Sequence, residues 1–113
     1  MDHSDHVNLL KPAELRPGGS WADFGAGSGA FTFATRELTG STASIYAIDK
    51  DRASLNQLGQ SYRARFSNSQ DLYLIAGDFS RPLDIPPLDG IVMANSLHFF
   101  KDWVEFDFRH HFL

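Results

Sequence analysis

The stretch Asp23-Phe24-Gly25-Ala26-Gly27-Ser28-Gly29 decides how the rest of the chain is read. It follows the short apolar run Trp21, Ala22 and Phe24, as a tight turn follows a buried strand, and it leads into Phe31, Ala34 and Leu38 at helical spacing. Three glycines on alternate positions let backbone N–H groups approach a ligand, because glycine accepts positive φ and has no side chain in the way. A strand, a ligand-binding turn and a helix are therefore expected over residues 20–39, with Gly40 placed to cap the helix end.

Before the loop, Val7, Leu9, Leu10, Ala13 and Leu15 make a weak amphipathic pattern that Pro12 interrupts and Pro17-Gly18-Gly19 closes, which predicts a lead-in helix within residues 1–19. After it, Ile45 to Ile48 form a β-rich run ending at Asp49. Asp51 is placed to cap a helix carrying Leu55, Leu58, Tyr62 and Phe66 on one face. Leu72 to Ala76 and Ile91 to Ala94 are two further apolar runs, separated by the Pro-rich stretch 81–87. Apolar strands alternating with amphipathic helices predict an α/β protein with a doubly wound, Rossmann-like parallel sheet. At roughly 30 residues per strand-crossover-strand unit the chain supplies about four strands, in the order 3-2-1-4, so the sheet reads as incomplete.

The loop alone does not choose its ligand. Gly25-Ala26-Gly27-Ser28-Gly29-Ala30 also satisfies the dinucleotide pattern G-x-G-x-x-G/A, and Asp49, 20 residues past Gly29, stands where a ribose-binding acid belongs. The carboxylates shift the balance. Asp23 precedes the loop, Asp49 closes the second strand and Asp78 closes the third, so a parallel sheet gathers all three at its carboxyl edge. Two like charges about 4 Å apart repel by about 4 kcal/mol at an effective dielectric near 20, which makes an acid beside the loop a poor neighbour for a pyrophosphate and a good one for a cation. S-adenosylmethionine carries a sulfonium, an α-ammonium, a ribose diol and an adenine amino group, and so offers a partner to each acid.

On these residues the chain resembles the N-terminal half of class I S-adenosylmethionine-dependent methyltransferases, whose first motif is an acid followed by x-G-x-G-x-G; the match spans about residues 20–100. The resemblance implies a cofactor site of Asp23, Gly25, Ala26, Gly27, Gly29, Asp49, Lys50, Asp78, Phe79 and Asn95. Asp23 and the backbone of Gly25 and Gly27 would hold the methionine part and Asp49 the ribose hydroxyls. Asp78 would meet the adenine amino group, with Phe79 beside the ring. Residues 89–98 are similar to the family's fourth strand and the start of the acceptor pocket of small-molecule methyltransferases. There His98 is the candidate general base, against its reading as a packing residue. A small-molecule methyl acceptor is the implied substrate.

The resemblance stops at residues 101–113, where the family continues with a helix and three more strands. Val104, Phe106 and Phe108 alternate instead, which marks an atypical tail on a truncated domain. Two further readings stay open: an S-adenosylmethionine-binding fragment without activity, and an NAD-binding Rossmann domain. The apolar edge of the fourth strand and the tail lead us to expect self-association. With a formal charge of −4 and no Lys/Arg run, nucleic acid is not an expected partner. No cysteine, signal-like leader or long apolar segment occurs, so a cytoplasmic protein without disulfides or a membrane span is expected. His3, His6, His110 and His111 have no acid or thiol at ligand spacing, and no metal is expected.

Overall fold

The computed structural model describes residues 2–66, 71–77 and 85–93, together with the backbone of 98–101. Its elements are α1 (His3–Leu10), a single 3-10 turn (Lys11–Ala13), β1 (Ser20–Phe24), α2 (Ala30–Thr39), β2 (Ser44–Asp49), α3 (Arg52–Arg65), β3 (Leu72–Ala76), β4 (Gly90–Met93) and β5 (His98–Lys101).

Local chemistry sets the helix ends. Asp2 and Asp5 form a reciprocal capping box at the start of α1, each carboxylate accepting from the other's backbone N–H at 3.0 Å. The α-helix stops at Leu10 because Pro12 has no N–H to continue the ladder; the proline sits instead in the first turn of the 3-10 segment. Gly40 closes α2 with its N–H on the Arg36 carbonyl, and the Asp51 carboxylate caps α3 by accepting from the Ala53 N–H at 3.1 Å, both as the sequence indicates.

Four strands pair in parallel in the order β3-β2-β1-β4, the expected arrangement, with Asp23 of β1 opposite Ala47 of β2 and Val92 of β4. A fifth strand was not foreseen: β5 runs antiparallel to β4, with Met93 opposite His98 and Gly90 opposite Lys101. The outer edge of β4, expected to lie open, is thus paired within the chain, and the sheet's outer strands are β3 and β5.

Handedness explains where the helices lie. From β1 to β2 to β3 the chain steps twice in the same direction across the sheet, and right-handed crossovers put both connecting helices on one face. That face carries Ala47 and Val92. There α1 and α2 pack Val7, Leu10, Phe31 and Ala34 against Val92, while Leu58 and Tyr62 of α3 pack with Ala26 and Ala47. The step from β3 back past β1 to β4 runs the other way and must cross the opposite face. Accordingly Ile85 and Leu88, just before β4, pack on Ala22, Phe24, Ile48 and Ile91 of that second face. All three helices among the described residues lie on the first face.

Candidate cofactor site

The glycine loop springs from the carboxyl end of β1, at the centre of the sheet. Its start is pinned to β2: the N–H groups of Gly25 and Ala26 both donate to the Ile48 carbonyl, at 2.8 and 3.1 Å. Gly25, Gly27 and Gly29 all have positive φ, at 72°, 58° and 104°. The last two differ in what surrounds them. A Cβ on Gly29 would stand 2.7 Å from Leu58 Cγ, so this glycine lets α2 approach α3. A Cβ on Gly27 would meet no atom within 4 Å; the space in front of it is open. Gly27 is therefore the position where the loop backbone, the candidate ligand cradle, faces open space.

Asp49, at the end of β2, ties the cradle together. Its Oδ2 accepts the Gly27 N–H at 2.9 Å, its Oδ1 accepts the Asp51 N–H at 2.8 Å, and its own carbonyl accepts the Gly77 N–H at 3.0 Å. One residue thus joins the glycine loop, the turn into α3 and the end of β3. A carboxylate offers about four lone-pair sites, so two hydrogen bonds leave Asp49 acceptor capacity for a ligand.

Asp23 takes a different place from Asp49. Only 1% of it is exposed, and it faces the helix-covered side rather than solvent. Its Oδ2 accepts the Thr32 hydroxyl of α2 at 2.7 Å, while Oδ1 is buried without a hydrogen-bond partner. Burial pushes its pKa up to about 7; the Thr32 hydrogen bond opposes that shift and the nearby Asp49 charge adds to it. An orphaned carboxylate oxygen in the core and an open glycine cradle are the two features that suit a ligand bearing a positive charge.

Of the residues expected from the sequence, Asp23, Gly25, Ala26, Gly27, Gly29 and Asp49 converge at the carboxyl ends of β1 and β2. Lys50 follows Asp49 as an exposed bend residue. His98 opens β5, its backbone opposite the last residue of β4. Asp78, Phe79 and Asn95 lie outside the described residues, although Gly77, immediately before Asp78, is held to Asp49. Among the described residues no group of three His, Cys, Asp or Glu side chains is arranged to hold a metal. No helix among them is long and apolar enough to cross a membrane.

Sequence reasoning missed Thr32. Its signal is faint: a hydroxyl in the first turn of the helix after the loop, nine residues beyond Asp23, with nothing linear to say that it faces the strand.

No family model and no curated protein matches the chain. Solved structures do. A coclaurine N-methyltransferase bound to N-methylheliamine and SAH superposes with a TM-score of 0.69 at 18% identity, over 80% of this chain and 26% of that one. An S-adenosylmethionine-dependent O-methyltransferase from Thermotoga maritima gives 0.67 at 19%, over 80% and 34%. The magnesium protoporphyrin IX methyltransferase of Synechocystis PCC 6803, with bound SAM, gives 0.62 at 15%, over 80% and 41%. The chain spans between a quarter and about two fifths of the length of these proteins. The parallel part of its sheet, β3-β2-β1-β4 with its helices, has the class I S-adenosylmethionine-dependent methyltransferase fold.

Proposed function

We propose that the chain binds S-adenosylmethionine at the glycine loop and forms the cofactor-binding part of a methyltransferase acting on a small molecule. The observation that carries this reading is the open cradle at Gly27, held by Asp49 and backed by the buried carboxyl of Asp23. Two of the neighbouring structures were solved with SAH or SAM bound, which supports the choice of cofactor. A dinucleotide is the poorer fit, because Asp23, the acid at the entrance of the loop, would oppose a pyrophosphate.

When bound, the cofactor supplies a methyl group already activated on a sulfonium. The residues of this chain then have binding work to do. Asp49 accepts the ribose hydroxyls with its remaining lone pairs, the Gly25 to Gly27 backbone lines the methionine part, and Asp23 answers positive charge from beneath the loop. The rate of transfer depends on holding acceptor and methyl about 3 to 3.5 Å apart and in line, with His98 as the candidate base where the acceptor must lose a proton.

A second reading, a binding fragment without turnover, is favoured by one observation: β5 pairs antiparallel along the edge of β4. With either reading we propose a cytoplasmic protein that self-associates, through its C-terminal tail now that the edge of β4 is paired with β5.

Isothermal titration calorimetry with S-adenosylmethionine, its demethylated product and NAD tests the shared core. Binding of the first two, at least tenfold weaker in Asp49→Ala and tighter than NAD, is expected. No heat with the unaltered protein would sink both readings. A methyl-transfer assay on a panel of small acceptors then separates enzyme from fragment.

A further inference from the structure

We infer that Asp23 is a proton-exchange site: in the empty protein its buried carboxyl holds a proton on Oδ1, and docking of a cationic ligand at the glycine loop expels that proton to solvent. The inference rests on the proposed function for the identity of the ligand, and on geometry for everything else.

The geometry is specific about which oxygen is involved. Oδ2 already accepts the Thr32 hydroxyl at 2.7 Å, whereas Oδ1 is sealed from water and has no donor facing it. A carboxylate in that position would leave a full negative charge on an atom that nothing solvates, and the usual outcome is protonation. Among the described residues no cation compensates it. The sheet residues opposite Asp23 are Ala47 and Val92, both apolar. Above it α2 contributes Thr32, a neutral donor, and Asp49 on β2 contributes a like charge. Arg36, the buried cation of α2, has its donors committed to Tyr62, Gly40, Ala43 and Asp71. The rise in the pKa of Asp23 to about 7 agrees with this picture.

A ligand that brings a positive charge to the loop reverses the balance. It supplies the missing counter-charge to Asp23 and Asp49 together, so the carboxyl ionises and its proton passes to the buffer. A neutral or anionic ligand cannot drive that exchange. Asp23 thereby selects by charge, and binding of a cation grows tighter as pH rises towards the value at which the empty site loses its proton unaided. Thr32 is the positioning residue: by holding Oδ2 it leaves Oδ1 as the atom that exchanges.

The test is calorimetry with S-adenosylmethionine between pH 5 and 7, below the titration of the ligand's own amino group near ~7.7–8.0, in pairs of buffers that differ in ionisation heat. We expect release of roughly three-quarters of a proton per ligand at pH 6.5, given a site that titrates at about 7. The dissociation constant should fall about ninefold between pH 5 and 6 and about fivefold between pH 6 and 7, as the site approaches its own titration at about 7. Asp23→Asn, which takes a charge out of the site, should weaken binding severalfold and abolish both the release and the slope. Thr32→Val should move the break in the slope to higher pH, and Thr32→Ser should restore it. Carbon-13 NMR of the Asp23 carboxyl in the free protein, titrating near 7, supplies a readout without ligand.

Affinity that is flat with pH in the unaltered protein, or a slope that survives in Asp23→Asn, overturns the inference and leaves the binding reading intact. Absence of binding at every pH overturns the proposed function and the exchange with it.

Discussion

Asp23 sits in the core of the ligand-free protein with one oxygen hydrogen-bonded and the other bare, and this has a consequence for stability as well as binding. In the unfolded chain its carboxyl titrates near 3.8, and in the folded protein at about 7. Below the lower value both states hold the proton and Asp23 favours neither. Between the two, the folded state keeps a proton that the unfolded state has lost, so stability falls as pH rises; above about 7 the penalty is complete. At about 1.36 kcal/mol per pH unit that interval amounts to roughly 4 kcal/mol at most. Thermal unfolding followed from pH 5 to 8 should show a falling midpoint, and Asp23→Asn should remove most of the fall. Asp2 and Asp51 act in a different window. Hydrogen bonds, from the Asp5 backbone to Asp2 and from Ser54 to Asp51, hold them below the usual carboxylate range, so their contribution is lost only as pH drops below about 4.

Two of the loop's three glycines, Gly27 and Gly29, make a contrasting pair at the same scale. Gly27→Ala places a Cβ in open space at φ 58°, a left-handed conformation that costs a non-glycine residue about 1 kcal/mol. Gly29→Ala drives a Cβ into Leu58 at φ 104°, combining overpacking with backbone strain, and should cost about 3 kcal/mol. Urea denaturation should rank them in that order. Cofactor binding should be lost in Gly27→Ala although its fold survives, because the new methyl occupies the cradle. Of this site the sequence made the acids and glycines legible, since each is a residue type that its chemistry demands. It did not distinguish a glycine needed for ligand access from one needed for helix packing; that difference depends on Leu58, 29 positions away.

Elements are held to one another by a residue that the sequence hid. Arg36 in α2 is 2% exposed and donates to the Tyr62 hydroxyl of α3 at 2.6 Å, to the carbonyls of Gly40 and Ala43 at 2.9 and 2.6 Å, and to the Asp71 carbonyl before β3 at 2.9 Å. It clamps the far ends of α2, α3, β2 and β3, away from the cofactor loop. On the helical pattern an arginine beside Glu37 reads as solvent-facing, and its acceptors are scattered from residue 40 to residue 71, so only the folded chain reveals it. Arg36→Met leaves buried carbonyls without donors and should cost about 3 kcal/mol or more by urea denaturation. Arg36→Lys should recover little, because one ammonium cannot span four acceptors set out for a planar fork. Tyr62→Phe removes a single bond and should cost about 1 kcal/mol.

At the level of the molecule, strand order was legible because short apolar runs between amphipathic helices admit few topologies once crossovers are right-handed. The antiparallel β5 was not. Residues 98–101 follow β4 too closely to be separated from it by periodicity, and the resemblance reads the stretch up to His98 as the fourth strand and the start of an acceptor pocket.

The central strand has one more consequence, for synthesis. β1 takes one neighbour, β2, from the next 25 residues of the chain, but its other neighbour, β4, begins only at Gly90. While the chain grows on the ribosome, β1 is therefore an edge, with Trp21 to Phe24 open on one side until the last quarter of the sequence emerges. A nascent chain released before residue 90 has one side of its central strand open and is set up to aggregate, whereas the chain released after β4 has closed that side.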